Sequence, residues 1–382
     1  MVTALLIGDD GRPPLPWLAA PLQRALESQR GHALLVQGSE GIGALPFTLS
    51  LAQSWLCERA SPRAGSAPVQ PACGRCASCH LVAIHVHPDL FLLMPETLRR
   101  LHAWPLRDDK TDGEDSKRKP SKQVRIDEVR ALIDWSTRTS ARGRGKVAVL
   151  HPAEALNLQS ANALLKTLEE PPLGTRLLLC SADPARLLPT LRSRCQLFPL
   201  ATPDEAVATA WLAEQGVAQA GVLLAACSGR PLDVLAWTQA GVDAAAWAAL
   251  PRAVANGQGG ALSAWPVPLA LDALLKLCHD ATALAHGALP RYFPRAAMPA
   301  GRPEPSALRA WAAELARVVR HAEHPWNEGL LAESLVGQAQ RALAPVGTAV
   351  GPSLGPSVGT SLGTSLGSSL GTPLGTKHAR GG

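Results

Sequence analysis

The chain has 382 residues, too many for one ordinary domain and about right for two or three. Apolar residues make up 46% and charged residues 18%, enough for a buried core, which excludes a globally disordered or fibrous chain. The formal charge of +6, from 37 Lys and Arg against 31 Asp and Glu, is too mild to argue for a nucleic-acid partner by itself.

Met1 to Asp10 lacks the basic and apolar regions of a secretory leader, and no apolar run reaches the length of a membrane span. A cytoplasmic protein is expected, in which clustered cysteines serve as metal ligands more often than as bridges. The first 200 residues alternate short β-rich runs with helical patterns. The runs are His32–Gln37, Asp89–Met94, Lys146–Leu150, Arg176–Ser181 and Gln196–Leu200. Ala153–Glu170 reads as one helix with Leu158, Ala161, Leu164, Leu165 and Leu168 on a stripe, stopped by Pro171 and Pro172. Such alternation predicts an α/β domain with a parallel sheet covered by helices.

The glycines of Gly38-Ser39-Glu40-Gly41-Ile42-Gly43-Ala44-Leu45 have phosphate-loop spacing, directly after the first strand. A working loop continues with a Lys for the β and γ phosphates and a hydroxyl for Mg²⁺. Ala44 and Leu45 stand there and supply neither. The third strand should end in acidic residues that hold Mg²⁺, yet His151 and Pro152 follow Leu150. Two losses together predict no ATP hydrolysis at this site. Three glycines alone are also compatible with a plain strand-to-helix turn, or with backbone amides that bind an anion.

Cys73, Cys76 and Cys79 form a Cys-x-x-Cys-x-x-Cys run that can converge on one ion, and Zn²⁺ needs a fourth donor. By spacing, that donor is Cys57, His80, His85 or His87. Cys57 is preferred because an all-thiolate site is closed and the intervening loop can return it. Iron–sulfur ligation is the rival, although the usual following Cys-Pro is missing. Cys180, Cys195, Cys227 and Cys278 are scattered and read as small core or surface residues.

The segment 107–122 reads as a polar surface insertion. Its Lys117, Arg118, Lys119 and Lys122, with Arg125, face Asp108, Asp109, Asp112, Glu114 and Asp115, a self-neutralising solvated loop rather than a DNA-binding patch. Arg194, in Ser193-Arg194-Cys195 between a helix-like Pro184–Leu191 segment and the fifth strand, is by pattern an exposed arginine or a finger aimed at a neighbour's nucleotide. Beyond Thr202 the chain is helical, in Asp204–Glu214, Leu269–Ala285 and Ser306–Ala322, with a break near residue 243. Trp211, Trp237, Trp247 and Trp311 sit on these patterns as core rather than base-stacking residues. Residues 346–382 run in Gly-rich tetrads and read as a disordered tail.

The motifs identify a family. Gly31–Gln37, the cysteine cluster, His87-Pro88-Asp89, the run Ser160 to Pro172 containing Asn-Ala-Leu-Leu-Lys-Thr-Leu-Glu-Glu-Pro-Pro, and Leu191–Cys195 resemble bacterial clamp-loader subunits of the delta-prime kind, relatives of the gamma/tau ATPases. The resemblance covers about residues 13–240 and is looser through the C-terminal helices, where 324–335 looks like the family's last helix. It implies an AAA+ domain over 1–200 with a zinc module at about 57–87, a helical lid over 201–243 and a helical collar over 244–345. It further implies a stator that hydrolyses no ATP, structural zinc on Cys57, Cys73, Cys76 and Cys79, and Arg194 presented to the ATP of an adjacent subunit. The lid's nucleotide-sensing arginine aligns with Leu232, a third loss. Implied partners are the gamma/tau and delta subunits, with the sliding clamp and primed DNA reached through the complex, and no membrane. Two other readings stay open: an active gamma/tau-type ATPase, and a stand-alone zinc-dependent nucleic-acid-binding protein.

Overall fold

The computed structural model describes residues 5–29, 31–60, 70–105, 119–321 and 327–345. The acidic half of the 107–122 segment, Lys117, Arg118, residues 324–326 and the tetrad tail lie outside them.

The chain opens with α1 (Ala19–Ser28), β1 (Ala33–Gln37), α2 (Ala44–Leu56), α3 (Ala77–Ala83), β2 (Leu90–Leu93) and α4 (Glu96–Leu101). It continues through α5 (Ile126–Thr137), β3 (Lys146–Leu150), α6 (Leu158–Glu169), β4 (Thr175–Ser181), α7 (Pro189–Arg192) and β5 (Gln196–Pro199). The five strands form one parallel sheet in the order β2-β3-β4-β1-β5. All five anticipated runs are strands, four of them trimmed or extended by a residue at their ends and Lys146–Leu150 unchanged. A parallel sheet is covered on both faces, so its strands are nearly uniformly apolar. Successive side chains nonetheless divide between the faces. Leu34, Val36, Val147, Val149 and Leu178 join one buried cluster with α1 and α2. Leu35, Ala148, Leu150, Leu177 and Leu179 join the other, under α5 and α6.

Two helical readings are corrected. Ala153–Glu170 is not one helix: Ala153–Ala155 is a 3₁₀ turn, and Asn157 starts α6 afresh by accepting the Ser160 N–H at 2.8 Å. Leu158, now in the first turn, is 63% exposed, and the buried stripe begins at Ala161. Pro184–Leu191 divides likewise into a 3₁₀ turn, Pro184–Arg186, and α7.

The remaining described chain is helical: α8 (Glu205–Glu214), α9 (Ala220–Ala226), α10 (Pro231–Gln239), α11 (Ala244–Ala255), α12 (Gly260–Ala264), α13 (Val267–Ala285), α14 (Pro305–Val319) and α15 (Glu328–Leu343). Asp204 and Asp243 cap α8 and α11 by accepting the N–H groups of Ala206 and Ala246. Trp211, Trp237, Trp247 and Trp311 are buried. Trp247, fully buried, stacks on Phe293 with centroids 4.3 Å apart and touches Trp237 at 5.0 Å. Among the described residues no helix is long and apolar enough to cross a membrane.

Candidate functional site

The glycine loop joins β1 to α2. Gly41 and Gly43 have φ of +79° and +97°, values that L side chains rarely adopt, which is why glycine stands there. The Trp17 indole donates to the Ile42 carbonyl at 2.8 Å, and a methyl at Gly43 would lie 2.5 Å from Leu15 Cδ1. From the helical segment beyond the sheet, Leu232 at the start of α10 donates its N–H to the Gly41 carbonyl at 3.0 Å. A methyl at Gly41 would meet Asp233 Oδ1 at 2.3 Å. Arg230 holds that carboxylate from the other side, Nε to Oδ2 at 2.9 Å. The loop is therefore packed against its own chain on several sides.

At the positions where phosphate chemistry needs a cation and a hydroxyl, Ala44 is half-buried and Leu45 is buried with the core. His151, after β3, is half-buried, and desolvation together with nearby His102 lowers its pKa to about 4, so it is a neutral imidazole at pH 7. The acid that sequence reading passed over is Glu154, three residues on. It accepts from Ser181 Oγ at 2.7 Å and from the Asp183 N–H at 2.9 Å, and so braces the ends of two strand connections.

The four thiols Cys57, Cys73, Cys76 and Cys79 converge, with every Sγ within 4.8 Å of the others. The Sγ atoms of Cys57 and Cys73 are 3.7 Å apart and those of Cys57 and Cys76 are 3.8 Å apart. A tetrahedron with Zn–S arms of about 2.3 Å has edges of about 3.8 Å, so this donor set fits zinc. Of the alternatives for the fourth ligand, His85 stacks on Trp104 with centroids 3.8 Å apart, and His87 Nδ1 accepts the Asp89 N–H at 3.1 Å. His80 is exposed and outside the cluster. Burial raises the Cys57 and Cys79 thiols. At Cys73 burial is outweighed by N–H groups of Arg75 and Cys76 and by the neighbouring thiols, leaving it at about 7. A divalent cation supplies the charge that lets all four ionise. Arg142 ties the module to the sheet by pairing with Glu58 and donating to Ser78 Oγ at 2.9 Å, and Arg144 reaches the Ala60 carbonyl at 3.0 Å.

Arg194 lies just before β5, about one third exposed. Its Nε donates to Glu169 Oε1 at 2.7 Å, its Nη2 donates to the same oxygen, and its Nη1 donates to the Thr190 carbonyl at 2.8 Å. Cys195 beside it is half-buried, its thiol pushed up to about 12 by burial.

The four thiols thus converge on one another at one end of α2 and the glycine loop lies at the other, while Arg194 stands apart on the surface. What the structure adds is the direct contact of Leu232 and Asp233 with the glycine loop, and the pairing of Glu169 with Arg194. No local spacing signals either, because both are contacts between distant segments.

A profile described as "DNA polymerase III, delta subunit" matches residues 17–204. The chain is 38% identical over 222 residues to the DNA polymerase III subunit delta' of Pseudomonas aeruginosa, which covers 56% of this chain and 59% of that one. It is 31% identical over 281 residues to the subunit delta' of Escherichia coli, 68% of this chain and 75% of that one. The DNA polymerase III subunit tau of Salmonella typhimurium is 30% identical over 176 residues, 45% of this chain and 22% of that one. Among solved structures, a gamma subunit-related protein of Thermotoga maritima superposes with a TM-score of 0.45 at 17% identity, over 86% of this chain and all of that one. With the Escherichia coli relative matched over three quarters of its length, the chain belongs to the DNA polymerase III delta' family.

Proposed function

We propose that this chain is the delta' subunit of a DNA polymerase III clamp loader, a silent stator that completes a neighbour's ATP site with Arg194. On this reading residues 1–200 are an AAA+ domain, α8–α10 its lid and α11–α15 a collar for assembly with gamma/tau and delta subunits. The protein acts in the cytoplasm, and the sliding clamp and primed DNA are reached through the complex. Cys57, Cys73, Cys76 and Cys79 hold a structural Zn²⁺.

The observation that carries the reading is the glycine loop. A phosphate loop with Ala44 and Leu45 has no cation for the β and γ phosphates and no hydroxyl for Mg²⁺. Leu45 is committed to the core, His151 is neutral, and the loop carbonyl at Gly41 is already bonded by α10. An active ATPase of the tau kind is disfavoured by the same residues.

A guanidinium aimed at a transferring phosphoryl stabilises charge that grows in the transition state. Arg194 is the exposed cation of the family's Ser-Arg-Cys motif, and fingers of this type contribute on the order of 10³ to 10⁵ in rate in GTPases. The test is steady-state ATP hydrolysis by the complex reconstituted with gamma/tau and delta subunits on primed DNA. The chain alone should show no turnover. Arg194→Ala should leave assembly intact and lower DNA-stimulated turnover, with Arg194→Lys failing as well. Wild-type rates with Arg194→Ala would reduce the residue to a surface arginine.

A further inference from the structure

We infer that Glu169 is a positioning residue that aims the Arg194 guanidinium; the inference rests on the function proposed above. A guanidinium has five N–H donors in a fixed plane. In Arg194 the carboxylate of Glu169 takes one from Nε and one from Nη2, and the Thr190 carbonyl takes one from Nη1. Three bonds to two separate acceptors fix both the place and the tilt of the plane. Two N–H groups, one on each terminal nitrogen, remain for an acceptor outside the chain. A carboxylate and a carbonyl therefore spend the donors that orient the group and leave a pair that suits a phosphoryl oxygen.

The two acceptors are themselves held. Glu169 is the last residue of α6, whose Leu164 and Leu168 are buried against the sheet. The Leu168 carbonyl is bonded to His32 Nε2 at 2.7 Å, which pins the end of that helix to the entrance of β1. Thr190 sits in α7 beside Leu191, which is 1% exposed. The finger thus springs from a short segment whose two supports are rigid, although its own tip is open to solvent. A flexible arginine loses side-chain entropy each time it is placed, whereas a pre-aimed one has lost it already.

The experiment is ATP turnover by the reconstituted complex with Glu169→Ala, Glu169→Gln, Arg194→Ala and the double variant. The pair is partly exposed, with side chains 32% and 47% accessible, so its contribution is that of a surface ion pair. At the site served by Arg194, Glu169→Ala should lower turnover about two- to fivefold with the KM for ATP unchanged. Glu169→Gln, which keeps one acceptor without the charge, should fall between. The double variant should match Arg194→Ala, because a misaimed finger and an absent one act on the same step. Melting temperatures should be unchanged, which a merely structural role for Glu169 would not give. Unchanged turnover in Glu169→Ala while Arg194→Ala is slow overturns this inference and leaves the proposed function standing. Faster turnover in Glu169→Ala also overturns it, since the carboxylate would then be a latch. An active Arg194→Ala complex removes the proposed function itself.

Discussion

Gly41 offers the sharpest test of whether α10 rests on the glycine loop. The effect of alanine at this position is read through stability. Left-handed backbone costs a non-glycine residue about 1–2 kcal/mol. Gly216 supplies that term alone, since its φ is +81° and a methyl there would meet nothing within 4 Å. At Gly41, φ is +79°, but the methyl would lie 2.3 Å and 2.6 Å from two atoms of the Asp233 carboxyl group and 3.0 Å from Arg230 Cβ. Such overlap forces α10 away or off its rotamers, at a further ~1–3 kcal/mol. Gly41→Ala should therefore cost about 2–5 kcal/mol and Gly216→Ala about 1–2 kcal/mol. Urea unfolding of both variants, with slopes compared, separates the two.

Two companion measurements locate the effect. The Leu232 amide, bonded to the Gly41 carbonyl at 3.0 Å, should exchange faster in Gly41→Ala and at the wild-type rate in Gly216→Ala. Adding Asp233→Ala to Gly41→Ala removes the two nearest overlaps and leaves Arg230 Cβ, so part of the stability should return; the two changes are coupled and not additive. If Gly41→Ala costs no more than Gly216→Ala and the Leu232 amide is unaffected, α10 does not sit on the loop, and the seal proposed for the silent site is wrong.

The purified chain should carry one zinc by elemental analysis, and Cys76→Ser should lose it while raising exchange in 70–83 and sparing β1, β3 and β4; iron with visible absorbance would contradict zinc as the ion held there. Burial lifts the Asp233 carboxyl above its ordinary value despite Arg230, with Glu40 pushing the same way, so the folded chain binds that proton more tightly than the unfolded one. Its contribution to stability is full below about pH 4 and is lost as pH rises through the raised folded value. Asp233→Asn should accordingly melt above wild type at pH 7 and converge with it below about pH 4; equal melting at both pH values refutes the burial argument.

The elements legible in the sequence are those whose burial pattern is local. A strand buried on both faces announces itself as an apolar run, and all five runs are strands. Helix starts were less legible where a cap intervened: Asn157 divides what periodicity reads as one helix. Cys57 could be preferred by spacing, but excluding His85 and His87 required their actual partners, Trp104 and the Asp89 N–H. The departures from phosphate-loop chemistry at Ala44, Leu45 and His151 are identities and needed no structure. The contacts of Leu232 and Asp233 with Gly41 span about half of the chain, and periodicity carries no information about such pairs. Glu169 and Arg194 are both visible in the motifs, 25 residues apart, yet only the geometry joins them.

On the proposed function, the topology bears on how one subunit could lose one site and keep the other. The glycine loop leaves the C-terminal end of β1. Arg194 precedes the N-terminal end of β5, which lies parallel to β1 with Gln196 opposite Leu34. Glu169 precedes β4, parallel to β1 on its other side, so it shares the end of the strands that carries Arg194. The two candidate sites therefore lie at opposite ends of the parallel strands, separated by about four residues of strand at roughly 3.3 Å each. At that separation, with no shared partner, changes at one end add to changes at the other without coupling. Departures from a working phosphate loop at Ala44 and Leu45, and the contacts of α10 on Gly41, lie away from the arginine end. On the function proposed here, a stator needs only that end to act on the ATP of a neighbour.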